Sequence, residues 1–138
     1  MHSGSTAFST LAAGTPLGPF RVTVSAAANE RYWRTVGADH PALRAGALYP
    51  PIAANLTVLT FQETCPEAMI QTRQRLVCHR LGRVGSELVS HGRVTARYEK
   101  RGREYVDITV TVSTADDASP LWTSEVTFTP AATLEAET

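Results

Sequence analysis

The feature that most restricts the fold of this chain is a helical segment that is apolar on almost every side. It follows Pro50-Pro51 and reads IAANLTVLTFQET. Proline suits the first turn of a helix, because the N–H that it lacks would have no partner there. The apolar face and its flanks comprise Ile52, Leu56, Leu59, Val58 and Phe61. Other elements normally cover a helix with so little polar surface. We therefore predict a central helix from near Pro51 to about Glu63.

The segment after this helix predicts a run of β-strands that can cover it. In REYVDITVTVST, apolar and polar residues alternate, and the apolar side comprises Val106, Ile108, Val110 and Val112. Further strands are predicted in RQRLVCH, SELVSHGRVTARYE and LWTSEVTFTP, with turns at EKRG and ADDASP. In the second of these strands one side is predicted to carry Leu88, Val94, Ala96 and Tyr98. An antiparallel sheet with one apolar face needs a cover. We expect the sheet to curve around the central helix and bury Ile52, Leu56 and Leu59.

Ahead of the central helix, the sequence predicts a strand, a second helix and a loop. PLGPFRVTVS alternates like a short strand, and SAAANERYWRTVG carries helix signals. Ser25 is the expected N-cap, and Gly37 is expected to end the helix. Helical spacing relates Ala28, Tyr32 and Val36. Residues 38–49 are predicted to form a loop.

The length of 138 residues indicates one domain, and the order of the predicted helices and strands makes it an α+β domain. We expect a flexible arm at residues 1–15, the domain at residues 16–130 and a frayed tail at residues 131–138. Lysine plus arginine and aspartate plus glutamate each number 13, so the net charge is zero. Without a basic stripe, nucleic acid is not an expected partner.

The two cysteines, Cys65 and Cys78, are expected to be free thiols in the cytoplasm. The N-terminal MHSGSTAFSTLAAGTPLG lacks the basic start and apolar run of a secretory signal. No apolar run approaches the roughly 20 residues that a membrane span needs, so no membrane association is expected. The histidines show no metal-ligand spacing, and His79 and His91 are expected on strands or a sheet edge. No metal and no cofactor are predicted.

Four segments in this order resemble the MaoC-like (R)-hydroxyacyl-thioester dehydratase/hydratase family, which has the hot-dog fold. They are ANERYWRTVGADHPAL, YPPIAANL, HRLGRVGSEL and GRVTARYEKRGREYVDITVTVST. The resemblance implies a single hot-dog domain whose curved antiparallel sheet surrounds a central helix. It implies an acyl thioester of coenzyme A or acyl carrier protein as substrate, in a tunnel between two subunits. In the family, an Asp and a His act as acid and base, and an N–H at the start of the central helix polarises the thioester carbonyl.

The loop that would carry this chemistry departs from the family pattern G-D-x-N-P-x-H. Matching GADHPAL to the pattern through Gly37 and Pro41 puts Ala38 at the Asp position and Leu43 at the His position. His40 then takes the Asn position. In the helix-opening segment PIAANL, Asn55 stands where the family's P-I-x-x-G-M has Gly.

Asp39 and His40 are the candidate catalytic residues, as a repositioned acid/base pair at the border of the site. The alternative is that both are turn-forming residues ahead of Pro41. Tyr49 could line a tunnel mouth or pack against the helix start. Arg80 and Arg83 flank a loop where family members often meet the phosphates of the carrier, although such arginines are also common on solvated surfaces. The candidate substrate-binding residues are Tyr49, Ile52, Ala54, Asn55, Arg80 and Arg83.

Three functions from different classes follow from these observations. The first is a dehydratase- or hydratase-type subunit in fatty-acid or polyketide-type metabolism, forming a homodimer or a heterodimer with a catalytic hot-dog partner. The second is an independent lyase, isomerase or cyclase that acts on an acyl thioester through Asp39 and His40. The third is a non-enzymatic acyl-binding hot-dog protein. The sequence leaves all three open and does not name the acyl chain or its carrier.

Overall fold

The computed structural model describes residues 7–131, which form a five-stranded antiparallel sheet and a set of helices. The elements in chain order are a 3₁₀ turn (Phe8–Thr10), β1 (Pro16–Thr23), α1 (Ala26–Thr35), α2 (Pro41–Arg44), α3 (Ile52–Thr64), β2 (Met69–Cys78), β3 (Glu87–Lys100), β4 (Arg103–Thr114) and β5 (Asp117–Pro130). The strand order is β1-β3-β4-β5-β2, so β1 and β2 form the two edges of the sheet.

Helix α3 lies against the apolar face of the curved sheet, as predicted. Ile52, Leu56 and Phe61 on the helix are at most 3% exposed. The sheet residues that face it are equally buried and include Val106, Ile108, Val110 and Val112. Phe61 stacks on Phe128 of β5 with ring centroids 4.7 Å apart. The predicted α+β architecture of a curved antiparallel sheet around a central helix is confirmed.

Leu59 is an exception, because its side chain is 40% exposed rather than buried. The buried side of α3 includes Thr57 and Thr60, whose hydroxyls donate to the backbone carbonyls of Ala53 and Leu56 at 2.8 and 2.6 Å. These bonds satisfy the hydroxyls inside the core, so threonine can occupy the buried side of the helix where Leu59 was expected. The prediction for Leu59 was wrong because it considered hydrophobicity alone.

Helix α1 begins where it was predicted but buries a different side. The Ser25 hydroxyl accepts the N–H of Ala28 at 3.1 Å, so the expected cap is confirmed. The buried residues are Asn29 and Trp33, whereas the predicted stripe leaves Tyr32 42% and Val36 62% exposed.

The starts of two strands, and the face of β3 on which Tyr98 lies, also differ from the expectations. Strand β2 starts at Met69 and β5 at Asp117, each four residues before the predicted start. In β3 the register shifts between Val94 and Ala96, so Tyr98 is 38% exposed, opposite to the prediction. Residues 41–44, predicted as loop, form the short helix α2.

The described part of the predicted arm packs into the domain. Phe8 and Leu11 are 3% and 2% exposed and belong to the core cluster under α3. The Arg97 guanidinium donates to the backbone carbonyls of Ser9 and Leu11. Residues 8–11 therefore belong to the domain, which begins before residue 16. The rest of the predicted arm, residues 1–6, and residues 132–138 of the predicted tail lie outside the described residues.

Candidate functional site at the start of the central helix

The loops around α2 form one layer with the loop between β2 and β3. Ala47 pairs with Arg83 in an isolated antiparallel bridge. The N–H of Leu48 donates to Gly82, and the N–H of Val84 donates to Gly46, both at 2.9 Å. This layer lies at the N-terminal end of α3, where the resemblance places an acyl site.

A cleft of about 320 Å³ opens between α1, α2 and this layer. Its lining includes Trp33, Asp39, Leu43 and Val84. Of the two candidate catalytic residues, Asp39 lies at this cleft, and His40 is not among the lining residues.

The side chains of Asp39 and His40 each bind a different local partner. The Asp39 carboxylate accepts a hydrogen bond from the Arg44 guanidinium at 2.5 Å. The Nδ1 atom of His40 accepts the backbone N–H of Ala42 at 3.0 Å and thereby caps α2. A ring that accepts at Nδ1 and is neutral carries its proton on Nε2. Both residues are exposed.

The two positions that match the family's acid and base carry apolar side chains here. Ala38 lies three residues after the end of α1 and is partly buried. Leu43 lies in α2 and contributes an apolar wall to the cleft. Neither side chain can donate or accept a proton, so acid/base chemistry in this loop would depend on Asp39 or His40.

Asn29 is an important residue that the sequence analysis missed. It is 1% exposed, and its amide nitrogen donates to the Ala47 carbonyl at 2.9 Å. Its Oδ1 accepts the N–H of Tyr49, also at 2.9 Å. The side chain thus joins α1 to the segment that enters α3. An asparagine one position after Ala28 was a possible signal, because it interrupts an otherwise alanine-rich helix start.

Of the four remaining candidates at the helix start, Tyr49 precedes α3, while Ile52, Ala54 and Asn55 lie in its first four residues. Tyr49 is partly buried and packs against the core, while Ile52 is buried in that core. The N–H groups of Ile52, Ala53 and Ala54 donate to the carbonyls of residues 49–51 at 3.0 Å each. Asn55 is exposed, and its amide nitrogen donates to the Tyr32 hydroxyl at 3.0 Å.

Arg80 and Arg83 both bind groups within the chain. The Arg80 guanidinium donates to the Ser119 carbonyl at 2.8 Å and pairs with Asp117 at 3.2 Å. The pKa of the Asp117 carboxyl is held below its usual value mainly by a hydrogen bond from the backbone N–H of Ser119. The positive charge of Arg80 lowers this pKa further. Arg83 donates to the Ala45 carbonyl at 2.9 Å, close to the cleft. Arg80 therefore connects the β2–β3 loop to the start of β5, and Arg83 connects it to the segment after α2.

Outside this layer, the described residues contain few other reactive groups. No three His, Cys, Asp or Glu side chains within residues 7–131 lie close enough together to hold a metal ion. Cys65 is fully buried, and burial raises the pKa of its thiol, whereas Cys78 is exposed. His79, just after β2, lies 2.8 Å from the Thr123 hydroxyl through its Nε2 atom. None of the described helices is long and apolar enough to span a membrane.

Solved structures show which fold this arrangement is. The chain superposes on the HadBC (3R)-hydroxyacyl-ACP dehydratase complex of Mycobacterium tuberculosis with a TM-score of 0.73 and 18% identity, covering 87% of this chain and 98% of the other. For the (R)-hydratase of A. caviae involved in PHA biosynthesis, the TM-score is 0.72 and the identity 17%, over 86% of this chain and 96% of the other. For a MaoC-like dehydratase of Rhodospirillum rubrum, the TM-score is 0.72 and the identity 19%, over 89% of this chain and 94% of the other.

The chain therefore has the hot-dog fold, and the structures that it resembles include MaoC-like dehydratases and (R)-hydratases. No model of a protein family and no curated protein matches the sequence. At these identities the similarity defines the fold, and the chemistry has to be argued from the residues.

Proposed function

We propose that this chain is a dehydratase- or hydratase-type hot-dog subunit that binds an acyl thioester and depends on a second hot-dog chain for acid/base catalysis. The thioester belongs to coenzyme A or acyl carrier protein. The structures that resemble the chain support the general class, because their names describe dehydratases and hydratases. The finer assignment rests on the loop between α1 and α3.

One observation carries the proposal: the polar residues of this loop are held by local partners. Asp39 is bound by Arg44, and His40 accepts from Ala42. A concerted proton transfer needs the acid and the base to reach one water or one substrate atom. Adjacent residues with separate partners are poorly placed for this, and the matched positions Ala38 and Leu43 are apolar.

A role in binding is supported by the architecture around the start of α3. A helix N-terminus carries partial positive charge, which suits a thioester carbonyl that gains negative charge. In this proposal Tyr49, Ile52, Ala54 and Asn55 border the acyl group. Arg80 and Arg83 lie on the carrier side, where each would have to exchange a hydrogen bond within the chain for one to the carrier.

A hot-dog partner is supported by a structurally similar protein and by the two sheet edges, which no further strand covers within residues 7–131. HadBC is described as a complex, and a strand at the edge of a sheet can pair with another chain. We also expect a cytoplasmic location, since the exposed thiol of Cys78 suits a reducing compartment.

The test separates binding from turnover. Purified chain is titrated with crotonyl-CoA in a calorimeter, and hydration is followed by loss of the enoyl-thioester absorbance. We expect binding without turnover, and turnover after addition of a hot-dog partner that has an intact G-D-x-N-P-x-H loop. Loss of general acid/base help lowers a rate by roughly 10²–10⁴-fold, so the contrast is easy to measure. Efficient turnover by the chain alone would refute the proposal, and absence of binding with or without the partner would refute the acyl site.

A further inference from the structure

The two edges of the sheet differ in their ability to pair with another strand. Each edge strand has one register shift, between Leu17 and Phe20 in β1 and between Gln71 and Arg73 in β2, but only β1 contains proline, at Pro16 and Pro19. Proline lacks the N–H that a ladder needs, so it weakens an edge for pairing with a further strand. Strand β2 contains neither proline nor glycine from Met69 to Cys78. Of the two edges, β2 is therefore the one suited to extending the sheet.

The exposed edge strand β2 carries positive charge only. Arg73 and Arg75 are its only charged residues. They lie on the same face, because they pair with Thr127 and Glu125 two positions apart on β5. Both are exposed. Arg75 lies 3.9 Å from Glu125, whereas no carboxylate among residues 7–131 comes within 4.0 Å of Arg73.

This charge pattern opposes pairing of β2 with a second copy of itself. Consider two β2 strands that pair antiparallel about a two-fold axis through Gln74. Arg73 of each copy then lies opposite Arg75 of the other, which makes two arginine–arginine pairs. An axis through Arg73 or Arg75 puts an arginine opposite itself, and an axis through Leu76 makes the two Arg75 side chains diagonal neighbours. Like charges directly opposite destabilise a strand pair. Self-pairing through the centre of β2 is therefore electrostatically unfavourable.

We propose that the β2 edge binds a different hot-dog chain, whose own edge strand carries aspartate or glutamate on the face that continues the Arg73–Arg75 face. This inference rests on the proposed function and specifies its partner. Carboxylates opposite the arginines would turn two repulsive contacts into two ion pairs, and charge complementarity of this kind selects among partners of similar shape. The chain then forms a heterodimer in preference to a homodimer.

The test measures association by analytical ultracentrifugation with variants that change only the edge charge. The variants are R73Q/R75Q, which is neutral, and R73E/R75E, which supplies the acidic edge. At about 20 mM NaCl we expect the neutral variant to self-associate about 3- to 10-fold more tightly than the wild type. An equimolar mixture of wild type and R73E/R75E should form a mixed dimer at least about 10-fold tighter than either homodimer. At about 500 mM NaCl these differences should shrink.

The matched control is R93E, which reverses an exposed arginine on the interior strand β3. Circular dichroism melting checks that every variant is folded. A mixture of wild type and R93E should form no mixed dimer that is tighter than the homodimers. A wild-type homodimer as tight as the mixed dimer at low salt would overturn the inference, as would the absence of a mixed dimer or an equal gain with R93E. These outcomes do not involve acyl binding or turnover, so failure here is distinct from failure of the proposed function.

Discussion

Replacement of Asn29 by alanine tests how the start of the central helix is held in place. The Asn29 amide donates to the Ala47 carbonyl and accepts the Tyr49 N–H, both at 2.9 Å, and the side chain is 1% exposed. Alanine removes both bonds and leaves the buried Ala47 carbonyl and the partly buried Tyr49 N–H without these partners. Since Asn29 ties α1 to the segment that enters α3, we expect the loss to affect the start of that helix.

The expected magnitude follows from these two bonds. An unsatisfied buried polar group costs about 1–3 kcal/mol, and Ala47 is buried while Tyr49 is only partly buried. Access of water to Tyr49 reduces its share, so we expect a total loss of about 2–4 kcal/mol in the free energy of unfolding. For a domain of this size that corresponds to a fall of about 6–12 °C in the melting temperature.

The assay is urea unfolding followed by circular dichroism and tryptophan fluorescence, with two comparison variants. Asn55→Ala removes an exposed amide bond to Tyr32 and should cost less than about 1 kcal/mol. Asn29→Asp buries a carboxylate beside the Ala47 carbonyl, which raises its pKa. Relative to the wild type at the same pH, this variant should recover part of its loss near about pH 5, because a protonated carboxyl can donate to Ala47. Equal stability of Asn29→Ala and Asn55→Ala would refute the role given to Asn29.

Three further substitution or labelling experiments test the core. Leu56→Asp should prevent folding, because an unpaired buried charge costs several kcal/mol, whereas Leu59→Asp on the exposed side of the same helix should leave a soluble, folded chain, as judged by gel filtration and melting. Gly92→Ala places a methyl group 2.0 Å from the Thr109 carbonyl oxygen and should cost about 3 kcal/mol in urea unfolding; an unchanged midpoint would contradict the close strand approach. A thiol reagent at about pH 8 should modify Cys78 at once and Cys65 only on unfolding, because burial raises the Cys65 thiol pKa and blocks access; simultaneous labelling of both thiols in native protein would contradict this.

The fold could be predicted from the sequence because two strong patterns agree. The strict alternation of β4 fixes one apolar sheet face, and the nearly uniform apolar character of α3 requires a cover. These two elements determine the architecture almost independently of the rest. The predicted ends of α3 differ from the observed ones by a single residue at each end.

The wrong predictions have causes that a hydrophobicity pattern does not describe, namely side-chain hydrogen bonds and a register shift. Thr57 and Thr60 occupy the buried side of α3 because their hydroxyls bond to the helix backbone, which leaves Leu59 outside. Asn29 is buried because two backbone groups from another segment satisfy its amide. In β3, a register shift after Val94 reverses the parity of Tyr98, and an alternation pattern cannot show such a shift.

The position of the candidate site stays a prediction, and the cleft beside Asp39 is lined by no residue of α3. The order of motifs predicted the site at the start of α3, whereas the structure brings Asp39 and Leu43 together with Val84 of the β2–β3 loop at a cleft beside α1 and α2. The partners of Asp39 and His40 could not be predicted, because Arg44 and the Ala42 N–H become available only when α2 forms. The catalytic and substrate-binding roles of these residues stay predictions.

The central claim is that standard acid/base hydration is absent from this chain, and one measurement tests it most directly. Wild type, Asp39→Ala and His40→Ala are purified alone, checked for folding by melting, and assayed with crotonyl-CoA under identical conditions. The account predicts negligible hydration by all three proteins, with no difference between the wild type and either variant. Robust hydration by the wild type alone, lost by about 10²-fold or more in either folded variant, would contradict it and identify Asp39 and His40 as the acid/base pair.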